Sequence, residues 1–144
     1  MIDFEVSLLD SNILVYAYDS RDKEKHKISI DILNKCWKKE IIYALSTQNL
    51  SELFTVTTKK ISNPISVKEM EENINDIINF SNFSILEIKS KTILRAIKLT
   101  SEYSLSYWDS LIVSVMLENN INIIITEDSD FKKIPWLKVI NPFK

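Results

Sequence analysis

Glycine is missing from all 144 residues, and that absence excludes every motif that depends on a glycine backbone. No Walker loop, no GxGxxG turn and no EF-hand loop can be present. One histidine, His26, and one cysteine, Cys36, are too few for a zinc site of the usual His/Cys kind. Any nucleophile–histidine pair would have to use His26, and any disulfide would need a second chain. A lone thiol fits a reducing compartment, so a cytoplasmic location is expected. The segment Met1-Ile2-Asp3-Phe4-Glu5 carries acids where a secretory signal has bases followed by a long apolar run. No stretch approaches the roughly 20 apolar residues of a membrane span, and no membrane partner is expected. What the chain holds in quantity is carboxylate: 20 acidic residues against 18 basic ones, a formal charge of −2. Such a balance argues against coating nucleic acid through bulk positive charge, while leaving a local basic patch open.

With 45% apolar and 26% charged residues and no repeat or linker, residues 1–144 read as one globular domain able to bury a core. Val6 to Leu9 is a short apolar run stopped by Asp10-Ser11-Asn12, and reads as a first buried strand. Ile13 to Tyr18 fits strand or short helix, and periodicity does not decide between them. Asp22 to Lys39 has helical spacing through Ile28, Ile32, Leu33, Cys36 and Trp37. Ile41 to Leu45 is a second strand, followed by a helix from about Gln48 to Lys60 that Ser46 or Thr47 can cap. Ser66, with Glu69 three residues on, opens a helix to about Phe80. Phe83 to Ile88 is a third strand, Lys89 to Tyr103 and Ser106 to Leu117 are helices, and Ile123 to Thr126 and Leu137 to Ile140 complete the strands. Asn119-Asn120 stands where a glycine usually closes a helix. Short apolar strands alternating with helices predict an α/β fold around a mostly parallel sheet.

In such sheets function collects at the carboxyl ends of the strands. Asp10 sits where the first strand ends, and Glu127, Asp128 and Asp130 directly follow the Ile123–Thr126 strand. Like charges brought close destabilise one another unless a cation intervenes. Hard divalent ions prefer this all-oxygen company, and they support phosphoryl displacement without histidine or cysteine. Each acid also has a plain structural reading. Asp10 can form an Asx turn, Glu52 can be a solvated helix residue, Asp109 can complete a helix start, and the 127–130 run can be a polar loop.

Taken together the acids form an ordered series. The segments Leu8 to Tyr16 around Asp10, Gln48 to Phe54 around Glu52, Tyr107 to Ile112 around Asp109 and Ile125 to Phe131 around Asp128 span nearly the whole chain. This series resembles the PIN-domain family, and within it the VapC-like toxins of toxin–antitoxin pairs. The resemblance implies a three-layer α/β/α fold and a ribonuclease that depends on Mg²⁺ or Mn²⁺. It makes Asp10, Glu52, Asp109 and Asp128 the catalytic, metal-holding acids, with Asp130 a further ligand, direct or through water. Asn12 and Thr126 become polar supports for the carboxylates. Which of Glu127, Asp128 and Asp130 faces the metal stays open at this point. In the mechanism so implied no side chain would serve as nucleophile: water activated by the ion would attack phosphorus in line and the 3′-oxygen would depart, leaving a 5′-phosphate. RNA as substrate, an antitoxin protein as partner and a homodimer are implied as well.

Two other readings compete. One is a PIN-like module that holds RNA or protein without cutting, against which four intact acids weigh. The other is a different α/β metal phosphotransferase. A haloacid-type phosphatase would carry a second aspartate where this chain has Asn12, and a receiver-like pattern is not found. His26, among Lys23, Lys25 and Lys27, is expected at the surface. Trp37, Trp108 and Trp136 are expected in the core rather than as stacking platforms. Lys23/Lys25/Lys27, Lys38/Lys39, Lys59/Lys60 and Lys132/Lys133 read singly as solvated helix ends, and as candidates to flank an acidic pocket. The helices between Asp22 and Phe80 carry much exposed apolar potential, and the resemblance implies dimerisation and an antitoxin groove there.

Overall fold

The computed structural model describes residues 5–144, so Met1 to Phe4 of the N-terminal acidic segment lie outside the described residues. Strands β1 (Ser7–Leu9), β2 (Tyr43–Ser46), β3 (Phe83–Leu86), β4 (Ile123–Ile125) and β5 (Lys138–Ile140) form one sheet in the order β3-β2-β1-β4-β5. Every pairing is parallel. The helices are α1 (Ser11–Tyr16), α2 (Lys23–Trp37), α3 (Thr47–Lys59), α4 (Val67–Asn79), α5 (Ser90–Tyr103) and α6 (Tyr107–Glu118). A short 3-10 turn, Ser129–Lys133, links β4 to β5. Ile13 to Tyr18, open between strand and helix in the sequence, begins in α1: Ile13 and Leu14 are buried and the chain turns at once away from the sheet. The predicted strands reaching Ile88 and Thr126 stop earlier, at Leu86 and Ile125.

Alternation along the strands makes the three layers. Leu8, Ala44 and Ile124 project into a core with Ile112, Val113 and Met116 of α6. Their neighbours Leu9, Leu45 and Ile125 project into a second core with Ile13, Leu14, Leu33, Leu53 and Met70 of α1 to α4. Because a strand's side chains alternate with period two, a one-residue slip would exchange the two cores. Helix α6 is buried from Ser110 through Met116, between the sheet and α5. Ser110 and Ser114, one turn apart, meet α5 through Thr100 Oγ1 at 3.0 Å and the Thr92 carbonyl at 2.8 Å.

Without glycine, helix exits fall to other residues. Asn120 takes the left-handed conformation with φ 55° after α6; its N–H donates to the Leu117 carbonyl and that of Ile121 to Met116. This is the hydrogen-bond pattern of a Schellman exit. Lys39, at φ 61°, closes α2 the same way, with its N–H on Cys36 and that of Glu40 on Lys35. Ser104, at φ 53°, ends α5. Only the asparagine was expected from its residue type. Replacing Asn120 with alanine should lower unfolding free energy by about 1 kcal/mol, whereas glycine should hold it, because a Cβ without a polar partner disfavours that conformation. Urea unfolding of the two variants measures the difference.

Candidate metal centre

The chain runs from β1 outward to β2 and β3, then returns to place β4 on the other side of β1. The carboxyl ends of β1 and β4 therefore flank the point where strand order reverses, the position at which open α/β sheets form clefts. Leu9 pairs with Ile125, and the Asp10 N–H donates to the Ile125 carbonyl at 3.0 Å. That register sets Asp10 directly beside Thr126.

Asp10 is buried, and every hydrogen-bond partner of its carboxylate donates to it. Oδ1 accepts from the Ser11 N–H at 2.8 Å; Oδ2 accepts from the Thr126 hydroxyl at 2.7 Å and from the Asn12 amide at 3.3 Å. Asn12 also donates to Thr126 Oγ1 at 3.1 Å, and the Asp128 N–H donates to the same oxygen at 3.0 Å. Thr126 thus joins the first acid to the backbone of the fourth. Desolvation pushes the Asp10 carboxyl up to about 6, against the lowering effect of Thr126 and Ser11, with the charges of Glu52 and Asp109 adding to the rise.

Glu52 lies half-buried on α3, whose N-terminus is fixed by a reciprocal cap between Ser46 and Asn49. Asn49 also donates to Ser11 Oγ at 3.0 Å, tying the start of α3 to the start of α1. Gln48, one turn before Glu52, donates to Glu52 Oε1 at 2.9 Å and to the Trp108 carbonyl at 3.1 Å. One amide therefore connects the second acid to the helix that carries the third. Asp109 sits in the first turn of α6, its N–H donating to Ser106 Oγ at 3.1 Å. Its carboxyl lines the pocket, where burial and the charges of Asp128, Asp130 and Glu52 raise its pKa against the lowering effect of the Ser106 hydroxyl.

Asp10, Glu52, Asp109 and Asp128 line one open pocket of about 480 Å³, with Asn12, Tyr16 and Val56 among its other walls. Asp130 is exposed and does not line it, although one oxygen each of Asp109, Asp128 and Asp130 fall within 4.8 Å of one another. Glu127 faces away, towards Tyr16 and Lys25. Asp19 also reaches the pocket wall, where Arg21 holds both of its oxygens. Among the described residues the two ion pairs join Lys25 to Glu127 and Arg21 to Asp19, so none of the four pocket acids has a cationic side chain. Carboxylates that share a pocket and lack an ion-pair partner, two of them with raised pKa values, fit a hard divalent cation, although Arg21 and Lys60 also line that pocket.

Gln48, Ser11, Asn49, Tyr16 and Lys25 were not singled out as supports for the acids in the sequence. The i, i+4 spacing of Gln48 and Glu52 was a usable signal; the long-range partners had none. Three expectations need correction. Trp108 is 64% exposed, because it occupies the outer side of the first turn of α6, and Trp37 is partly exposed against Phe80 and Phe83. Only Trp136 is half-buried against the core. His26 is half-buried rather than at the surface, with Nδ1 2.7 Å from the Tyr16 carbonyl at the end of α1. Exposed apolar side chains are scattered over the helices before Phe80, whereas Ile93, Leu94 and Ile97 gather on α5.

A parallel sheet with four carboxylates lining one pocket at its reversal point, none of them ion-paired, defines an α/β protein with an acidic pocket. The PIN-domain family profile matches residues 7–137, and this chain belongs to the PIN-domain family. It is 28% identical over 139 residues to Ribonuclease VapC2 of Methanocaldococcus jannaschii, covering 91% of this chain and 90% of that protein. Among solved structures it resembles VapC20 of Mycobacterium tuberculosis, a Sarcin-Ricin loop cleaving toxin, with a TM-score of 0.69, 14% identity and coverage of 94% and 98% of the two chains. It also resembles VapBC2 of Rickettsia felis bound to a promoter DNA fragment, with a TM-score of 0.65, 22% identity and coverage of 94% and 98%. These structures share the fold of this chain.

Proposed function

We propose that this protein is an Mg²⁺- or Mn²⁺-dependent endoribonuclease and the toxin of a toxin–antitoxin pair. The observation that carries the reading is the convergence of Asp10, Glu52, Asp109 and Asp128, from four separate segments, on one pocket in which none of them is ion-paired, although Arg21 and Lys60 also line its wall. The names of its relatives agree with it: a ribonuclease by sequence and a toxin by fold. Asp10, Glu52, Asp109 and Asp128 would hold the cation, with Asp130 at the rim. A divalent cation bound there lowers the pKa of water and offsets charge on phosphate oxygens.

The protein's own groups do the rest. Thr126 and Asn12 fix the Asp10 carboxylate by donating to Oδ2, which keeps its remaining lone pairs directed at the pocket. Gln48 fixes Glu52 against α6, and the Ser106 cap fixes the turn that bears Asp109. Burial first, and repulsion between the carboxylates second, raise the Asp10 and Asp109 pKa values, and both costs fall when a positive charge enters the pocket. In-line attack then needs only that the scissile phosphate lie across the open mouth of the pocket.

An antitoxin protein and a second copy of the chain are the proposed partners, and the cytoplasm is the proposed location. No described helix is long and apolar enough to cross a membrane. The test is direct. Purified protein should cut single-stranded RNA with Mg²⁺ or Mn²⁺, release 5′-phosphate ends and stop on chelation. At a Mn²⁺ concentration ten times Kd, the melting temperature should rise by roughly 5 °C through preferential binding to the folded state. Binding without cleavage of any RNA would instead support a non-cutting module, and no thermal shift at millimolar metal would remove the cation site.

A further inference from the structure

Three of the four residues from Glu127 to Asp130 are acids, yet Glu127 is turned out of the pocket and each of its oxygens is separately engaged. Oε1 accepts from the Tyr16 hydroxyl at 2.6 Å, and Oε2 accepts from Lys25 Nζ at 2.9 Å. The pair is only about one-third exposed on each side, and such charge-assisted bonds are stronger than neutral ones. Lys25 Nζ also stands 5.2 Å from the centre of the Tyr16 ring and 5.4 Å from that of Phe143, which meets Tyr16 edge-on. One residue on, His26 meets the Tyr16 carbonyl. The first turn of α2 therefore grips both the end of α1 and the segment that follows β4.

That segment has no strand or helix of its own between Ile125 and Ser129. Its position rests on the Thr126 N–H, which donates to the Ile140 carbonyl, on Thr126 Oγ1, on a long bond from the Glu127 N–H to Asn12 Oδ1 at 3.5 Å, on the Asp130 N–H donating to Asp128 Oδ1 at 2.9 Å, and on the Glu127 side chain. Left free, the Glu127 carboxylate would compete with Asp128 for any cation and repel it in the absence of one. We propose that Lys25 and Tyr16 clamp Glu127 so that Asp128, and not its neighbour, faces the cation pocket. Lys25, Tyr16 and Glu127 are positioning residues that act through Asp128. This rests on the reading of the pocket as a cation site.

The clamp and a simple field effect predict opposite signs. Lys25→Met keeps most of the stem over the two rings and removes one positive charge. If Lys25 acted only through the field, its loss would tighten Mn²⁺ binding. If it clamps Glu127, its loss should weaken Mn²⁺ binding by about 10-fold, the scale on which groups supporting metal ligands act. Glu127→Lys should do the same, and the exchanged pair Lys25→Glu with Glu127→Lys should return Mn²⁺ affinity to within a few-fold of the native value. Calorimetric Mn²⁺ titration, well below melting temperatures checked for each variant, supplies that readout. RNA cleavage at fixed metal supplies a second: kcat should fall in the single variants with KM for RNA little changed.

Tighter or unchanged Mn²⁺ binding by Lys25→Met overturns the clamp. So does an exchanged pair as weak as Glu127→Lys alone, the result expected if Glu127 were itself a ligand. Single variants that only melt earlier, with native Mn²⁺ affinity, reduce the contacts to fold support and also overturn it. If the affinities follow the predicted pattern but no RNA is cut, the clamp stands and the ribonuclease reading falls. Wild-type protein that binds no Mn²⁺ overturns both.

Discussion

Asp10→Asn should abolish RNA cleavage, by more than about a hundredfold, while leaving a folded protein. Groups that merely support metal ligands change affinity or activity by about 10- to 100-fold, and a ligand should exceed that range. Asparagine matches aspartate in size, and its carbonyl can still accept from the Ser11 N–H at the position of Oδ1. Its amide would replace Oδ2, which now accepts from Thr126 and Asn12, so two donors would meet a third. Against that loss stands the removal of a buried charge that no cationic side chain balances. Stability without metal should therefore stay level or rise at neutral pH. A variant that cuts RNA at the native rate, with folding checked by circular dichroism, would remove Asp10 from the catalytic set.

The second large effect is on pH. The Asp10 carboxyl is raised from 3.8 to about 6, so its ionisation opposes folding. Below pH ~4 it is protonated in both folded and unfolded states and carries no penalty. As the pH rises through about 6 the folded state must give up that proton, and stability falls by about 3 kcal/mol relative to a residue that cannot ionise. Asp109 shifts in the same direction. The metal-free wild type should thus lose stability relative to metal-free Asp10→Asn between pH 4 and 7, read as the difference between two urea-unfolding series. Mn²⁺ should restore the loss and bind more tightly as the proton leaves. A flat difference across that range would show that Asp10 ionises as freely as in the unfolded chain.

Strands and amphipathic helices were legible because short apolar runs such as Ile123–Ile125 and the spaced apolar positions of α2 each carry their own period. Helix α1 was not, because six residues that run straight from the sheet into the core show too little of a period to choose strand or helix. The acids were legible as a set, since each follows a strand or lies near a helix start, where α/β chemistry gathers. Choosing among Glu127, Asp128 and Asp130 was not, because the partners that engage Glu127 outside the pocket, Tyr16 and Lys25, lie about a hundred residues away in the chain. Trp108 misled for a related reason. It belongs to a helix buried nearly all round, but stands at the first turn, where the helix emerges beyond α5 and the sheet.

The central strand also governs the order in which the molecule is made. β1 lies near the N-terminus, but its neighbour β4 arrives with the last quarter of the chain, and the Thr126 hydroxyl that fixes Asp10 lies 116 residues downstream of it. A nascent chain halted before Asp109 holds only two of the four acids and lacks the strand that completes one side of β1. Contacts of such long separation form late, because closing the intervening chain must precede any reward from pairing. On the proposed activity, ribosome-bound chains that stop short of β4 should therefore be catalytically silent, and the RNA being translated is safe from the chain until Thr126 and Asp128 have emerged.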